Sequence, residues 1–498
     1  SLILTHLLPG PGSVPARHTT YMAESSVVQR TRIARDIVGS MRVQQPAVAR
    51  PPGPNGVRAV VSMIAGQAAP HEFFSRLRAR HQPIVHVPMA GEHLNILFSP
   101  EAIWDVFVTN GRYTRKSLAL QMTRPLLGDG LLTADGPTHM RHRRAIQPLF
   151  HAKRIDGYVT DMVAAAQATD AAWRDGQRIE LSEAMSELTL DVIGRTIFGL
   201  DLRGEASDVA TALDTVLAGF ARGVGPWASP LSRIPTRQRR REIAAIEDLD
   251  TIADEMIASR RRSLLAGMEG NDVLTLMLAA VDDTGQPAFT PDEVRDEAMT
   301  LVLAGHETTA LALTWAWNLL SHNPAARDWL DEELDTLPDR ALTAADLGSM
   351  PRTYAVVAEA MRLHPPAWIL GRWLDRDLRI SGWDLPRGSV VLASQFAMHR
   401  DPRYWPHAEQ FRPGRWLTPS GRFDEKAPGV PRGVWFPFGF GTRRCIGEHF
   451  AWTEAVIVLA TLARNWRLDV DAPADPPMMS AITLRPAVAM PTTVTARA

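Results

Sequence analysis

The chain contains a single cysteine, Cys445, in the run Phe438-Gly-Phe-Gly-Thr-Arg-Arg-Cys-Ile-Gly447, which leads into a helical pattern from Glu448 to Ala463. A thiol so placed sits at a helix N-terminus, where unpaired backbone N–H groups and the positive end of the helix dipole favour thiolate over thiol. Gly439, Gly441 and Gly447 give the backbone freedom and let a flat partner come close to the main chain. Taken alone, a lone cysteine also reads as a small buried hydrophobe.

The second cluster is Ala304-Gly305-His306-Glu307-Thr308-Thr309. It lies in the middle of a long apolar pattern that opens with Thr290-Pro291-Asp292-Glu293, a capping box with proline at the first helical position, and runs to Asn323 before Pro324. Such a helix spans roughly 50 Å. A carboxylate and two hydroxyls at its centre are costly unless partnered. Ala304 and Gly305 are small enough to let a ligand reach the backbone. Thr308, four residues after Ala304, can bond that carbonyl and open the helix locally. In isolation the same residues also read as a kink with a solvated acid.

Haem is a flat partner of the kind the cysteine turn admits, and a thiolate axial ligand pushes electron density into iron so as to favour O–O cleavage. The spacing Phe438-x-x-Gly441-x-Arg443-x-Cys445-x-Gly447 resembles the haem-binding signature of the cytochrome P450 superfamily, the haem-thiolate monooxygenases, in its soluble bacterial form. The resemblance implies haem b (iron protoporphyrin IX) with Cys445 as proximal iron ligand. Phe438 then packs near the sulfur, Arg443 reaches a propionate, and Gly447 and Ala304 border the cofactor. The cluster at 304–309 resembles the family's distal oxygen helix, with Thr308 steadying bound dioxygen and Glu307 as the acid of the proton path. His306 is read as packing, not as a ligand.

Glu359 and Arg362 are spaced to pair on one helix face, and such a pair alone carries little energy. Followed by Leu363-His-Pro-Pro366, it resembles the family's E-x-x-R element, with Arg415 as third member of a structural network that fixes the cysteine loop. His139 and Arg143, four apart, resemble the helix that holds haem propionates, and Arg372 is the expected further propionate partner. Arg141 and Arg144 are left facing an acidic electron donor.

The resemblance implies a mainly α fold with small β-sheets (α+β), one haem domain over 51–498, and a long oxygen helix and cysteine loop enclosing haem. It implies O2 activation and oxidation of a hydrophobic small molecule: a terpenoid, steroid or fatty-acyl chain. Phe220, Trp227, Leu301, Ala304, Trp368, Ile369, Met478 and Met479 match places where relatives contact substrate. The short stretch after Cys445 leaves no room for a fused reductase, so a ferredoxin and an NAD(P)H-dependent ferredoxin reductase are expected, with the enzyme a monomer. A peroxide-using or non-oxygenating haem-thiolate enzyme is the alternative, and a haem sensor a remote one. Keeping Glu307-Thr308 argues against the first.

The elements that must position these residues follow from composition and pattern. With 45% hydrophobic and 22% charged residues in 498, the chain has ample material for a large core. Its net charge of −1 gives no field suited to nucleic acid. One cysteine excludes an internal disulfide and a multi-thiolate zinc site and fits a reducing cytoplasm. No apolar run reaches the length of about eighteen residues that a transmembrane helix needs. Residues 1–50 read as a basic, frayed leader, with 1–21 an extension, and Pro51-Pro52-Gly53-Pro54 as a stiff entry to the body. A hairpin is predicted over 83–89 and 93–98, and a helix starts at Ser99-Pro100-Glu101. Helices dominate 138–365, irregular segments fall near 111–135 and 222–236, and short strands return at 378–394 and 478–495.

Overall fold

The computed structural model of the protein describes residues 50–54, 70–80, 83–89, 92–121, 123–200, 209, 211–213, 215–216, 219, 236–268, 270, 272–282 and 284–497. The expected leader before residue 50, nearly all of the segment near 222–236, and Phe220 and Trp227 lie outside the described residues.

The long helix runs Pro291–Ser321. The Thr290 hydroxyl accepts the N–H of Glu293 at 3.2 Å, and the Glu293 carboxylate accepts the N–H of Thr290 at 2.9 Å, closing the predicted capping box. Its 31 residues span roughly 47 Å. It stops short of the predicted Asn323, because a residue before proline is pushed out of helical geometry. Asn323 instead has φ −129° and ψ 76° and caps the helix that follows. From Glu297 to Leu320 every residue of the long helix is buried except Ala304, Gly305 and Thr308. A helix apolar on all sides belongs in a core, and this one packs against the helices Leu181–Ile193, Pro351–Leu363 and Glu448–Ala463. The last of these, which follows the cysteine, is buried almost throughout and lies on the helix Ala152–Ala172.

Sheets are small, as expected. Strands β1 (Ile84–Met89) and β2 (Glu92–Leu97) form the predicted hairpin, with Ile84 opposite Leu97. β3 (Thr114–Lys116), β5 (Leu370–Leu374) and β8 (Val390–Ala393) complete a five-stranded sheet of order β1-β2-β8-β5-β3, in which β2 and β8 are parallel. β4 (Arg178–Glu180), β9 (Trp466–Val470) and β12 (Pro491–Ala496) form a second sheet. β6 (Leu378–Ile380) pairs β7 (Trp383–Leu385), and β10 (Met478–Ser480) pairs β11 (Leu484–Pro486). The segment predicted as irregular at 111–135 contributes β3, which brings Lys116 directly opposite Arg372. Among the described residues no helix is long and apolar enough to cross a membrane.

Candidate active site

The cysteine loop is held by its backbone. Cys445 donates its N–H to the carbonyl of Phe438 at 2.9 Å, and the Phe438 ring tilts against Trp452 at 5.9 Å between centroids. Gly441 has φ +67°, and a Cβ there would collide with the carbonyl of Phe107, so this glycine is required twice over. Gly447 is different: its φ is −88° and its nearest neighbour would be Phe150 at 4.0 Å, so no conformational demand falls on it. Its N–H instead turns to the cysteine sulfur and favours the thiolate.

Burial raises Cys445 to about 11, and the Gly447 N–H, Arg143 and Arg444 offset it only in part. Cys445 keeps exposed surface because it faces a hollow of about 380 Å³ lined also by Arg143, Arg444, Glu448 and His449. Protein atoms nevertheless crowd the sulfur closely enough for desolvation to outweigh the helix dipole. A coordinated metal removes a thiol proton outright, so the loop is built for a ligated sulfur rather than a free nucleophile.

A cationic cluster lies near the loop. Arg372 is buried in β5 and Lys116 is buried opposite it in β3. Like charges directly opposite on paired strands destabilise a sheet. Burial lowers Lys116 to about 7 and Arg372 to about 10. Arg443 joins them: its Nη2 donates to Asp135 at 3.0 Å and to the Thr114 carbonyl at 2.8 Å, while its buried Nε has no partner. Asp135 also accepts the Lys116 N–H at 2.9 Å. His139 is held neutral, lowered to about 3 by burial and then by Lys116, Arg443 and Arg143. Asp135, with Glu297 also acting on Lys116, thus faces buried Lys116 and Arg372 and half-buried Arg443, an excess of cations that an anionic group would offset. The two propionates of a haem fit that demand.

Lys116 was not legible in the sequence as part of this site. Arg143, expected at a propionate, donates its Nη1 to the carbonyl of Arg444 at 2.8 Å, so its side chain reaches under the cysteine loop. Arg141 is bound to Glu293 and to the Ala288 carbonyl at 2.8 Å and stays exposed. Arg144 remains exposed.

On the long helix, Thr308 donates its hydroxyl to the Ala304 carbonyl at 2.7 Å, the predicted bond. Ala304 is exposed within this otherwise buried stretch, so open space lies against this turn. Gly305 serves packing rather than ligand approach: a Cβ there would meet Ile193 of the neighbouring helix at 2.6 Å. His306 faces that helix too, 2.7 Å from Ser186 Oγ, as its packing role requires. Glu307 is 6% exposed, and its Oε1 accepts from Thr483 Oγ1 at 2.5 Å and from Arg485.

The structural network is complete. Glu359 is 0% exposed and takes bonds from Arg362 at 2.8 and 2.9 Å, Arg415 at 3.0 Å, the Arg412 N–H at 2.9 Å and Trp416 Nε1 at 2.9 Å. Burial works against its charge, yet these donors hold the carboxyl below its usual range. Arg362 also donates to the carbonyls of His399, Ala408 and Gln410.

Of the expected substrate residues, Leu301 lies one turn before Ala304. Trp368 is a clasp: buried, with Nε1 on the Ala481 carbonyl at 2.9 Å, while Ile369 beside it stays half-buried. Met478 sets its sulfur 3.4 Å from His364 Nδ1, and Met479 is 43% exposed. The hairpin reaches the long helix through Thr483, Leu484 and Arg485.

Residues 51–493 match the family described as Cytochrome P450. The chain belongs to the cytochrome P450 family. It is 35% identical over 439 residues to "Cyclooctatin synthase" of Streptomyces melanosporofaciens, covering 87% of this chain and 94% of that protein. To "Cyclooctat-9-en-7-ol 5-monooxygenase" of the same organism it is 32% identical over 401 residues, covering 80% and 85%. The crystal structure of a "cytochrome P450DA heme domain" aligns with a TM-score of 0.78 at 26% identity, covering 91% of this chain and 99% of that one. This P450 is a haem-thiolate monooxygenase, an oxidoreductase that uses O2 and electrons from redox partners.

Proposed function

We propose that this P450 oxygenates a hydrophobic terpenoid at carbon, with haem b held by Cys445, Lys116, Arg372, Arg443 and His139. The observation that carries the reading is the single open turn within the buried stretch of the long helix, where Ala304 takes the Thr308 hydroxyl bond and buried, apolar Leu301 lies one turn before. An apolar wall with few polar groups orients a hydrocarbon by shape. A relative of the same length class is named for oxygenating carbon 5 of cyclooctat-9-en-7-ol, which supports a cyclic hydrocarbon skeleton.

Haem supplies the activation of dioxygen at its iron. The chain's own residues do the rest. Lys116, Arg372 and Arg443 would hold the propionates. Ala304 leaves room for a small ligand beside the helix, and Thr308 can release the Ala304 carbonyl and donate its proton into that space. Glu307, next in sequence, carries protons to it from the hairpin side. The donor is a ferredoxin served by an NAD(P)H-dependent ferredoxin reductase, and the enzyme acts as a monomer with one haem domain from residue 51. A cytoplasmic setting keeps the one thiol reduced.

The test is a panel of cyclic terpene hydrocarbons and alcohols, scored by the low-spin to high-spin shift of the ferric protein and by one labelled oxygen atom in the product from labelled O2. Binding confined to fatty acids or steroids would overturn the substrate class. Thr308→Ala should lose product while peroxide rises; unchanged turnover would favour a peroxide-using enzyme.

A further inference from the structure

A line of aromatic rings leads away from the cysteine loop. Phe438, whose carbonyl takes the Cys445 N–H, tilts on Trp452 at 5.9 Å between ring centroids. Trp452 is buried, lines the hollow beside Cys445, and lies 5.8 Å from Tyr354 and 5.5 Å from Phe423. Tyr354, at the start of the helix Pro351–Leu363, stacks on Phe423 at 5.1 Å. Aromatic rings seek such contacts for packing alone. The order of the rings adds something else. Phenylalanine resists one-electron oxidation, whereas indole and phenol yield to it, and the two oxidisable rings here are direct neighbours. A further indole, Trp416, is reached only across Phe423, at 5.5 and then 6.5 Å.

The other described tyrosines are less suited to give up an electron. Guanidinium carbons lie over the Tyr113 ring at 4.6 and 4.1 Å, from Arg112 and Arg376, and over the Tyr404 ring at 4.9 Å, from Arg403. A cation on the ring face opposes removal of an electron from it. The Tyr158 hydroxyl is buried with no partner among the described residues to take its proton. Tyr354 is half-buried, and burial pushes its phenol up to about 12, so it keeps its proton until the ring is oxidised.

We propose that Trp452 and Tyr354 form an outlet for oxidising equivalents, so that an equivalent stranded beside Cys445 in the absence of substrate ends as a tyrosyl radical at Tyr354. The inference rests on the ligation of haem by Cys445. Trp452 gives one electron toward the cofactor, Tyr354 replaces it, and the phenolic proton passes to water. The indole is thereby restored and the phenol is left one electron and one proton short. A soluble one-electron donor of the ascorbate or thiol class returns the electron, water returns the proton, and the tyrosine is regenerated. The oxidant is peroxide, or O2 reduced at the iron with no substrate to receive the oxygen.

The experiment uses the full-length haem-loaded protein without substrate, mixed with hydrogen peroxide, rapidly frozen and read by electron paramagnetic resonance. The parent should give a tyrosyl signal that ascorbate removes. Tyr354→Phe, which deletes one oxygen atom, should lose that signal. Trp452→Phe keeps a ring in place and should lose most of it, because no oxidisable stop then stands between Tyr354 and the sulfur. A tryptophan with a packing role alone would leave the signal undiminished. Peroxide should also bleach the haem faster in both variants than in the parent. Absence of a tyrosyl signal from the parent, its persistence in Tyr354→Phe, or full yield in Trp452→Phe overturns the proposal. Should Trp452→Phe not load haem, Tyr354→Phe decides by the same signal and the same bleaching rate. A parent whose reduced carbon monoxide complex lacks the thiolate-type band would instead overturn the ligation by Cys445, a result separate from all of these.

Discussion

The guanidinium of Arg143 donates a hydrogen bond of 2.8 Å to the carbonyl of Arg444, the residue immediately before the iron ligand. The helix Gly136–Ile146 is in this way tied to the loop that carries the sulfur, as well as to the anion site through His139. Replacing Arg143 with leucine removes a charge-assisted bond, a type of contact worth about 1.5–3 kcal/mol. Haem should then transfer to an acceptor such as apomyoglobin about tenfold faster, with the thiolate-type carbon monoxide band retained. An unchanged transfer rate would show the bond to be idle.

Lys116 predicts a proton count. Burial lowers it to about 7 even with Asp135 beside it, so at pH 8 it is mostly neutral. Propionates placed beside it favour the charged form and raise its pKa. Haem loading at pH 8 should therefore take up close to one proton at this site, and the uptake should disappear in Lys116→Gln. Calorimetry in buffers of different ionisation enthalpy, comparing the two proteins, measures it directly.

Glu359→Ala would leave Arg362 and Arg415 facing each other without their shared carboxylate. Removing one partner of a buried ionic network costs about 3–5 kcal/mol. Urea unfolding should show a loss of that size, with little haem incorporated on expression. A loss below about 1 kcal/mol would mean that the carbonyls around Arg362 suffice to hold it.

His142 and Glu297 form a fully buried pair at 2.6 Å that joins the helix Gly136–Ile146 to the long helix, with Glu293 3.3 Å from the other ring nitrogen. Burial opposes the imidazolium, but the two carboxylates outweigh it and raise the His142 pKa above 6.5. A raised histidine binds its proton more tightly when folded. Its stabilisation is therefore complete below about pH 6.5 and declines as pH rises through the folded-state value. The melting-temperature gap between the parent and His142→Gln should be widest near pH 6 and should narrow at alkaline pH.

The parts legible in the sequence were those whose meaning is local. The capping box at Thr290 and Glu293, the threonine four residues after Ala304 and the glycine turn before Cys445 each depend on neighbours within a few positions. Lys116 had no such signal, because it gains its role only when the short strand β3 pairs with β5, far along the chain, and sets two cations face to face. Glu307 was found but its partner was not: Arg485 comes from a hairpin that packs back on the helix centre. Helix-end electrostatics at Cys445 can be read from order along the chain, whereas the desolvation that raises its thiol depends on everything folded around the sulfur.

A Cβ on Gly305 would meet the Cδ1 end of Ile193 at 2.6 Å, and Ile193 is 1% exposed, so that end would have to turn aside within the packed contact between the two helices. Natural variation at these two sites should therefore be correlated: a bulkier residue at one is tolerated when the other shrinks. Gly305→Ala alone would turn the end of Ile193 aside and press on the helix that carries Ala304 and Thr308, whereas pairing it with Ile193→Val would remove the colliding methyl. The dimensions of the reaction chamber are thus set in part by a contact on the opposite side of its wall.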